Sequence, residues 1–185
     1  MSLAFKYRPH YTFEDYKKWQ GDWELVEGIP YALASPDFWH QRTIIKITSQ
    51  IDTFITENCL NCHVAIDLDW IISEDTVLRP DIVVFCDEPM ERLTKTPRII
   101  FEIVSKSSIM IDEGLKFEIY QKEGVEYYVL VYPETKDVVC YKYKDGAFIK
   151  DQTLKEGLLS IPLTECPQLL LSPPIFINFS KVWSS

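Results

Sequence analysis

The sequence predicts an α/β fold in which a central mixed β-sheet is flanked by helices. Its 185 residues and 46% hydrophobic content suit one domain with a sizeable core. Apolar runs of four to six residues are typical of buried strands, and they alternate with segments whose apolar residues recur at helical spacing. Because no repeat, low-complexity tract or linker interrupts this order, we expect residues 1–185 to form a single domain.

The N-terminal segment, residues 11–35, predicts a short helix and a β-hairpin. Thr12 to Tyr16 has a threonine suited to cap a helix, followed by acidic residues in the first turn. Trp23 to Ala34 contains two short apolar segments, and the turn dipeptide Glu27-Gly28 separates them. We therefore expect two antiparallel strands here.

The core segment, residues 36–145, predicts a long helix and then strands around a second helix. Ser35-Pro36-Asp37 opens the first helix, with Pro36 in its first turn, and isoleucines at helical spacing extend it to about Asn58. The second helix runs from about Ile109 to Glu123. The strand candidates are Val64 to Ile72, Ile82 to Phe85, Ile99 to Val104, Tyr127 to Tyr132 and Val138 to Tyr143. The proline-containing tail, residues 158–185, predicts loops and short edge segments.

Charge and composition exclude several classes of protein. The formal net charge is −9, which excludes a basic coat on nucleic acid, so any nucleic-acid contact has to be local or assisted by a metal. No apolar run approaches the ~20 residues of a membrane span. Residues 1–16 contain no apolar signal-peptide core, so we expect a cytoplasmic protein with no membrane partner.

The cysteines predict no disulfide framework. There are five of them, an odd number in a chain without an export signal, so we expect reduced thiols. Cys59 to His63 has the C-x-x-C-H pattern of c-type haem attachment, but haem attachment needs export and a second ligand. A zinc site would need two more ligands, and Cys140 and Cys166 are isolated from each other.

Glu102 is the most informative residue, because it interrupts the apolar strand from Ile99 to Val104. An unpaired carboxylate buried there would cost several kcal/mol, so it needs a cation, a metal or a functional reason. Asp81 stands at the entrance of the strand from Ile82 to Phe85. If this strand pairs with the one that carries Glu102, Asp81 becomes half of an oxygen-rich divalent-metal site. Glu102 could alternatively be a glutamate at the end of a strand that reaches solvent, or the structural partner of a lysine. Asp81 could alternatively be an ordinary turn residue after a proline.

The second helix contributes a lysine to the same hypothesis. At ~100° per residue, one face about 140° wide is half apolar and carries a lysine. Its members are Asp112, Leu115, Lys116, Ile119, Tyr120 and Glu123. Lys116 can point at the carboxylates and stabilise charge on a phosphoryl group. The alternative is an i,i+4 salt bridge with Asp112 on the helix surface.

Two earlier segments offer further candidates. Glu24 and Glu27 flank the hairpin turn, and either can be a third acidic ligand, although Glu27 suits a plain turn residue. His40 opens the long helix, where a histidine is either a catalyst or a surface or capping group.

Together these segments resemble the bacterial Uma family, grouped with restriction endonucleases in the PD-(D/E)XK nuclease superfamily. The resemblance extends over about residues 11–135 and depends on the ordered set of short motifs. The matching residues are Tyr11 to Tyr16, Glu24 to Gly28, Ser35-Pro36 with His40-Gln41, Arg79 to Asp81, Phe101 to Ser108, Asp112 with Gly114 and Lys116, and Gly124 to Tyr127.

The resemblance implies a restriction-endonuclease-like core and hydrolysis of phosphodiester bonds that depends on Mg²⁺ or Mn²⁺. It implies that Asp81 and Glu102 are the metal ligands and that Glu24 is a further acidic residue of the site. Further candidates for accessory residues of the site are His40, Glu27, Asp112, Tyr120 and Lys106.

The superfamily lysine is displaced in this sequence. It normally lies two residues after the second acid, where this chain has Val104. The resemblance implies that Lys116 on the following helix is its stand-in. Lys106 is the other candidate, in a turn of serines and lysine that we expect to face solvent.

The implied partner is nucleic acid, with DNA as the expected substrate and a homodimer as the unit that cuts both strands. Basic residues are densest in the loop from Arg92 to Arg98, which is either a strand contact or a solvated charged loop. Two alternatives stay open: a nuclease fold that binds without catalysis, and a structural core in which Lys116 is the buried partner of Glu102.

Overall fold

Strands and helices alternate along the chain in the mixed order that the sequence predicts. The computed structural model describes residues 9–59, 61–163 and 174–184. Its helices are α1 (Phe13–Tyr16), α2 (Phe38–Asn58), a π-helix (Ile111–Lys116), α3 (Phe117–Lys122) and α4 (Phe179–Val182). Its strands are β1 (Trp23–Val26), β2 (Ile29–Ala32), β3 (His63–Ile66), β4 (Trp70–Ser73), β5 (Thr76–Leu78), β6 (Ile82–Phe85), β7 (Ile99–Ile103), β8 (Tyr127–Tyr132), β9 (Asp137–Lys144), β10 (Ala147–Leu154), β11 (Leu158–Ile161) and β12 (Ile175–Asn178).

A six-stranded sheet in the order β10-β9-β8-β7-β6-β3 forms the centre of the fold. Strands β7 and β8 are parallel, and the other neighbouring pairs are antiparallel. Every residue of β6 and β7 is buried, as expected for strands covered on both faces. The mixed sheet flanked by helices confirms the predicted fold class.

Each face of the central sheet has its own apolar core. On one face, the isoleucines of α2 pack against alternate residues of β6, β7 and β8. On the other face, Tyr120 of α3 packs with Tyr128, Trp70 and the side chain of Phe148. The layer on this second face includes the π-helix, so residues from β7 and the π-helix meet inside the core.

A smaller sheet in the order β2-β1-β5-β4 carries the N-terminal hairpin. Its turn residues Glu27 and Gly28 both have positive φ, 47° and 76°, which is the geometry of a tight two-residue hairpin. The α1 helix begins after Thr12, whose N–H and hydroxyl both donate to the Asp15 carboxylate. The predicted short helix and hairpin are confirmed.

Several predicted boundaries are wrong. The single strand predicted from Val64 to Ile72 is two strands, because the chain turns at Asp67 (φ 52°) and passes from the central sheet to the smaller one. Strands β5 and β10 were not predicted. Helix α2 begins at Phe38, because Asp37 is its cap and accepts the His40 N–H at 2.8 Å. Pro36 therefore lies before the helix and not in its first turn.

The rest of the chain follows the predictions in outline. The helix predicted over residues 109–123 starts as the π-helix, continues as α3 and ends at Gly124, which has φ 73°. In the tail, β11 and β12 form an antiparallel pair, while Cys166, Pro167 and Pro173 lie outside the described residues. None of the described helices is long and apolar enough to span a membrane.

Reduced thiols throughout were the wrong expectation. Cys62 and Cys86 form a disulfide, because the pairing of His63 with Phe85 in neighbouring antiparallel strands sets the two cysteines opposite each other. The Cys59 sulfur lies 3.2 Å from that of Cys62. Cys140 is a buried free thiol.

Candidate functional site

Antiparallel pairing brings the two predicted acidic residues face to face. In the ladder between β6 and β7, Ile82 is paired with Phe101, so Asp81 and Glu102 are the next residues along each strand and lie opposite each other. The Asp81 N–H approaches Glu102 Oε2 at 3.4 Å, and the Ile103 N–H donates to Asp81 Oδ2 at 2.6 Å. Glu102 is buried, and the Asp81 side chain is 18% exposed. The pair therefore stands where a buried ladder reaches the surface.

The Lys116 ammonium lies among three carboxylates inside the protein. Its Nζ atom is 2.9 Å from Glu24 Oε1, 3.0 Å from Glu102 Oε1 and 3.9 Å from Asp112 Oδ1. The lysine side chain is only 5% exposed, and each of the three acidic side chains is less exposed still. Of the two alternatives that the sequence left open for Lys116, the contacts with Glu24 and Glu102 are the shorter, and the i,i+4 contact with Asp112 is also present but buried.

The π-helix presents Asp112 and Lys116 to the same interior space. Both are buried, and both lie within its six residues. The Tyr128 hydroxyl donates to the carbonyl oxygen of Asp112 at 2.9 Å, which anchors the π-helix to β8. Short π segments are frequent at functional sites because they redirect side chains that a regular helix would place differently.

Tyr120 completes the surroundings of Glu102. Its hydroxyl donates to Glu102 Oε1 at 2.8 Å, the same oxygen that Lys116 contacts. Glu102 Oε1 therefore accepts hydrogen bonds from two donors. Among the described residues, Glu102 Oε2 has one donor, the Asp81 N–H, at the long distance of 3.4 Å.

His40 also belongs to the cluster. Its Nε2 atom lies 3.3 Å from Asp81 Oδ2, and its side chain is 19% exposed. Its Nδ1 atom is buried and has no hydrogen-bond partner among the described residues. The first turn of α2 thus brings His40 to Asp81, on the buried side of the helix and away from its solvent face.

A second polar network supports the cluster and was missed by sequence reasoning. The backbone N–H of Arg79 donates to Glu24 Oε1 at 2.8 Å, while its guanidinium binds Asp69 at 2.8 Å and Asp22 at 2.7 Å. The Tyr16 hydroxyl donates to the same buried Asp69 at 3.0 Å. The signal in the sequence was Arg79 itself, two residues before Asp81 and within the motif that carries the resemblance.

Comparisons with known proteins identify the family of the chain and its fold. The profile of the Uma2 family, described as "Putative restriction endonuclease", matches residues 13–172. The chain belongs to the Uma2 family. A solved structure from Anabaena variabilis ATCC 29413, described as a "putative nuclease belonging to DUF820", is similar to this Uma2 protein with a TM-score of 0.71. The two are 16% identical, and the match covers 94% of this chain and 97% of the other, so the likeness shows the shared fold. No curated protein matches the chain.

Burial and unequal charge perturb the titrating groups of this Uma2 site. Burial raises the pKa of Glu102 well above its ordinary value, and the nearby Lys116 offsets this only in part. Burial likewise raises the pKa of Asp112 to about 6. Burial opposes the Lys116 ammonium, but Glu102, Glu24 and Asp112 outweigh it and raise the lysine pKa. Three acidic side chains, Glu24, Glu102 and Asp112, thus share the single ammonium group of Lys116.

His40 and Asp67 also have raised pKa values. Burial lowers the pKa of His40, but the hydrogen bond and the charge of Asp81 outweigh it, so the net shift is upward. Asp67 was not predicted as part of the site. Burial and the neighbouring charge of Asp81 raise its pKa, which places it beside the cluster.

Other predicted candidates lie elsewhere. Glu27 is exposed in the hairpin turn, where its N–H donates to Thr76 Oγ1. The Lys106 side chain is 84% exposed and pairs with Glu134 at 3.0 Å. Neither joins the site, because a turn and a solvent-facing loop direct both side chains outward.

The basic side chains of the loop from residue 92 to 98 form ion pairs with nearby acidic residues. Arg92 contacts Asp69 and Glu91, Lys95 contacts Asp87, and Arg98 contacts Glu126. The loop therefore does not present a free row of cations to a polyanion.

The donor set suits a hard divalent cation. Among the described residues, no three His, Cys, Asp or Glu side chains are already arranged as a metal-binding group. Two carboxylate oxygens nevertheless remain available: no described residue hydrogen-bonds Asp81 Oδ1, and Glu102 Oε2 has the long 3.4 Å contact. Carboxylate oxygens are the ligands that Mg²⁺ and Mn²⁺ prefer, so these residues fit the ion that the resemblance implies.

Proposed function

We propose that this protein hydrolyses phosphodiester bonds of nucleic acid with a divalent metal ion held by Asp81 and Glu102. The observation that supports it most is the pairing of β6 with β7, which sets these two carboxylates opposite each other with an oxygen available on each. The family and the shared fold support the same class of reaction. Mg²⁺ or Mn²⁺ bound there would polarise the phosphate and make a nearby water more acidic.

The role of Lys116 in this proposal is to stabilise negative charge on the phosphoryl group. Its ammonium lies 3.0 Å from Glu102 Oε1, whereas the available oxygen of the same carboxylate is Oε2. A fixed cation at this distance stabilises negative charge that builds up on a phosphoryl group beside Glu102. Glu24 and Asp112 hold the ammonium in place, so no reorganisation is needed when that charge develops.

His40 orients Asp81. Its Nε2 atom and the Ile103 N–H both contact Asp81 Oδ2, which turns the other oxygen, Oδ1, away from these donors. Its Nδ1 atom is buried and has no partner among the described residues, so the contact that His40 offers the site is the one from Nε2 to Asp81.

DNA as the substrate and a homodimer as the cutting unit stay predictions. The proposed chemistry serves DNA or RNA equally, since the residues of the cluster act on the phosphate. The described residues of the chain form one such cluster, so cutting both strands of a duplex would bring together two copies.

A catalytically inactive nuclease fold is the second candidate. The net charge of −9 and the two short ion pairs of Lys116 with Glu24 and Glu102 favour it, because the lysine is already satisfied without a metal. In that case Glu102 and Lys116 are a structural pair.

The test is cleavage with Mn²⁺ and Mg²⁺ on three substrates: single-stranded DNA, duplex DNA and RNA. We expect metal-dependent cleavage by the wild type, a loss of at least a hundredfold in Asp81→Asn, and wild-type activity in the control Glu27→Gln, whose carboxylate lies outside the cluster. Cleavage of none of the three substrates, or equal cleavage by Asp81→Asn, contradicts the proposal.

A further inference from the structure

The solvent side of the first half of α2 combines apolar side chains with cations. Phe38, Trp39 and Ile45 are 65%, 64% and 62% exposed, and the two aromatic rings meet edge to face with centroids 5.2 Å apart. At ~100° per residue these three residues, with Arg42 and Lys46, fall within an arc of about 120° opposite the buried isoleucines. We call these five residues the α2 face.

The α2 face is positively charged in an acidic protein. From residue 38 to residue 51 the sequence contains Arg42 and Lys46 but no aspartate or glutamate, although the chain has a net charge of −9. Arg42 donates one hydrogen bond, at 3.1 Å, to the Ser184 carbonyl oxygen, which leaves its other guanidinium N–H groups for an anion. In the basic loop from residue 92 to 98, by contrast, the cations form ion pairs with neighbouring acidic residues.

The α2 face begins beside the catalytic candidates. Phe38 and Trp39 share the first turn of α2 with His40, whose ring contacts Asp81 at 3.3 Å. Trp39 forms the edge of the α2 face that is nearer to His40, about 100° around the helix from it. A strand whose phosphate lies at the carboxylates would therefore pass around the first turn of α2 to reach this surface.

We propose that the α2 face binds an unpaired strand of nucleic acid, with a base stacked on Trp39 and backbone phosphates against Arg42 and Lys46. The inference rests on the proposed function and specifies its substrate. Stacking on an aromatic side chain is tolerant of sequence and does not depend on the net charge of the protein. This explains how an acidic protein binds a polyanion without an extensive basic surface.

A second copy of the chain fits this surface less well. Phe and Trp side chains have roughly 150–250 Å² each to bury, so the exposed parts of these two and of Ile45 total about 400 Å², half of the ~800 Å² per partner of a stable interface. In a two-fold dimer the same patch meets itself, which would bring Arg42 and Lys46 close to their own copies.

The test is fluorescence anisotropy of a labelled single-stranded 20-nucleotide DNA in EDTA, which prevents cleavage. Trp39→Ala should raise Kd about tenfold, and Trp39→Phe should keep most of the affinity because it keeps an aromatic face. Arg42→Gln combined with Lys46→Gln should reduce the slope of log K against log salt by about 1.4, since each phosphate contact on a single strand contributes ~0.7.

Matched controls lie on other surfaces of the protein. Phe176→Ala removes an exposed aromatic ring from β12, and Lys144→Gln removes an exposed cation from β9. Both should bind the strand as the wild type does.

Four results would overturn the inference: no binding by the wild type, equal binding by Trp39→Ala, tighter binding of the matching duplex, or a dimer that Trp39→Ala converts to a monomer in sedimentation. The proposed hydrolysis would not fall with it, because cleavage of duplex DNA and RNA by the wild type and Asp81→Asn is measured separately.

Discussion

Replacing Lys116 with methionine tests the electrostatics of the buried cluster. The ammonium lies 2.9 Å from Glu24 and 3.0 Å from Glu102, and the two residues are only 1% and 2% exposed. Lys116→Met keeps the length of the side chain but leaves both carboxylates without their cation. Breaking a buried ion pair in this way costs about 3–5 kcal/mol. For a domain of this size, Tm should fall by roughly 6–20 °C, at about 2–4 °C per kcal/mol.

Glu102→Gln should have the opposite sign in the metal-free protein. Glutamine still accepts hydrogen bonds from Lys116 and Tyr120, which meet at Glu102 Oε1, while one of several mutually repelling negative charges disappears. We therefore expect Tm to be unchanged or higher. Lys106→Met is the control, because its ion pair with Glu134 is exposed and such pairs contribute about 0–1 kcal/mol.

The assay is thermal unfolding followed by circular dichroism in EDTA at pH 5 and pH 8. The destabilisation by Lys116→Met should be larger at pH 8, because burial raises the pKa of Glu102 and this carboxylate takes up a proton as pH falls. A Tm within ~2 °C of wild type for Lys116→Met at pH 8 would refute the argument. If Glu102→Gln lowers Tm as much as Lys116→Met does, the pair is a structural ion pair and not a site with excess acid.

Three further predictions concern neighbouring residues. Burial raises the pKa of Asp112 to about 6 in the folded protein, above its value of ~4 in the unfolded chain. The folded state therefore binds the proton more tightly, and the free energy of unfolding declines as pH rises from ~4 to ~6. Asp112→Asn should remove about 2–3 kcal/mol of this decline, as measured by denaturant titrations across that range. Tyr120→Phe removes the 2.8 Å hydrogen bond to Glu102 and should cost about 1.5–3 kcal/mol in urea unfolding; no change would mean that water or another donor replaces it. Arg79→Met should destabilise by about 1–3 kcal/mol because Asp69 is buried, whereas Arg92→Gln, a partly exposed partner of the same Asp69, should cost less than ~1 kcal/mol.

The sequence predicted the core of the cluster because burial of charge is visible in an apolar pattern. Glu102 interrupts a continuous apolar run, and Lys116 lies on the half-apolar face of its helix, so both had to be buried or functional. The pairing of Asp81 with Glu102 could not be read from either strand alone, since register depends on how two strands dock.

What the sequence did not predict depends on tertiary packing. The Arg79 network joins side chains from α1, the loop before β1 and the segment before β4, which no local pattern brings together. Strand β10 has a mostly exposed, polar pattern, so it lacks the apolar run that identified the central strands. The π-helix has only six residues, too few for the spacing of apolar residues to distinguish it from an α-helix.

The disulfide was missed for a similar reason. The count of cysteines predicted reduced thiols, whereas the pairing of β3 with β6 decides which of them meet. Helix α2 begins two residues later than expected, because the cap is Asp37, whose side chain accepts the His40 N–H, and not Ser35.

The most direct test of the proposed metal site is calorimetric titration with Mn²⁺ and Mg²⁺ of the wild type, Asp81→Asn, Glu102→Gln and the control Glu27→Gln. We predict one binding event in the wild type and in Glu27→Gln, and its loss in both Asp81→Asn and Glu102→Gln. No binding by the wild type, or binding that persists in both of these variants, would contradict a metal held between the ends of β6 and β7.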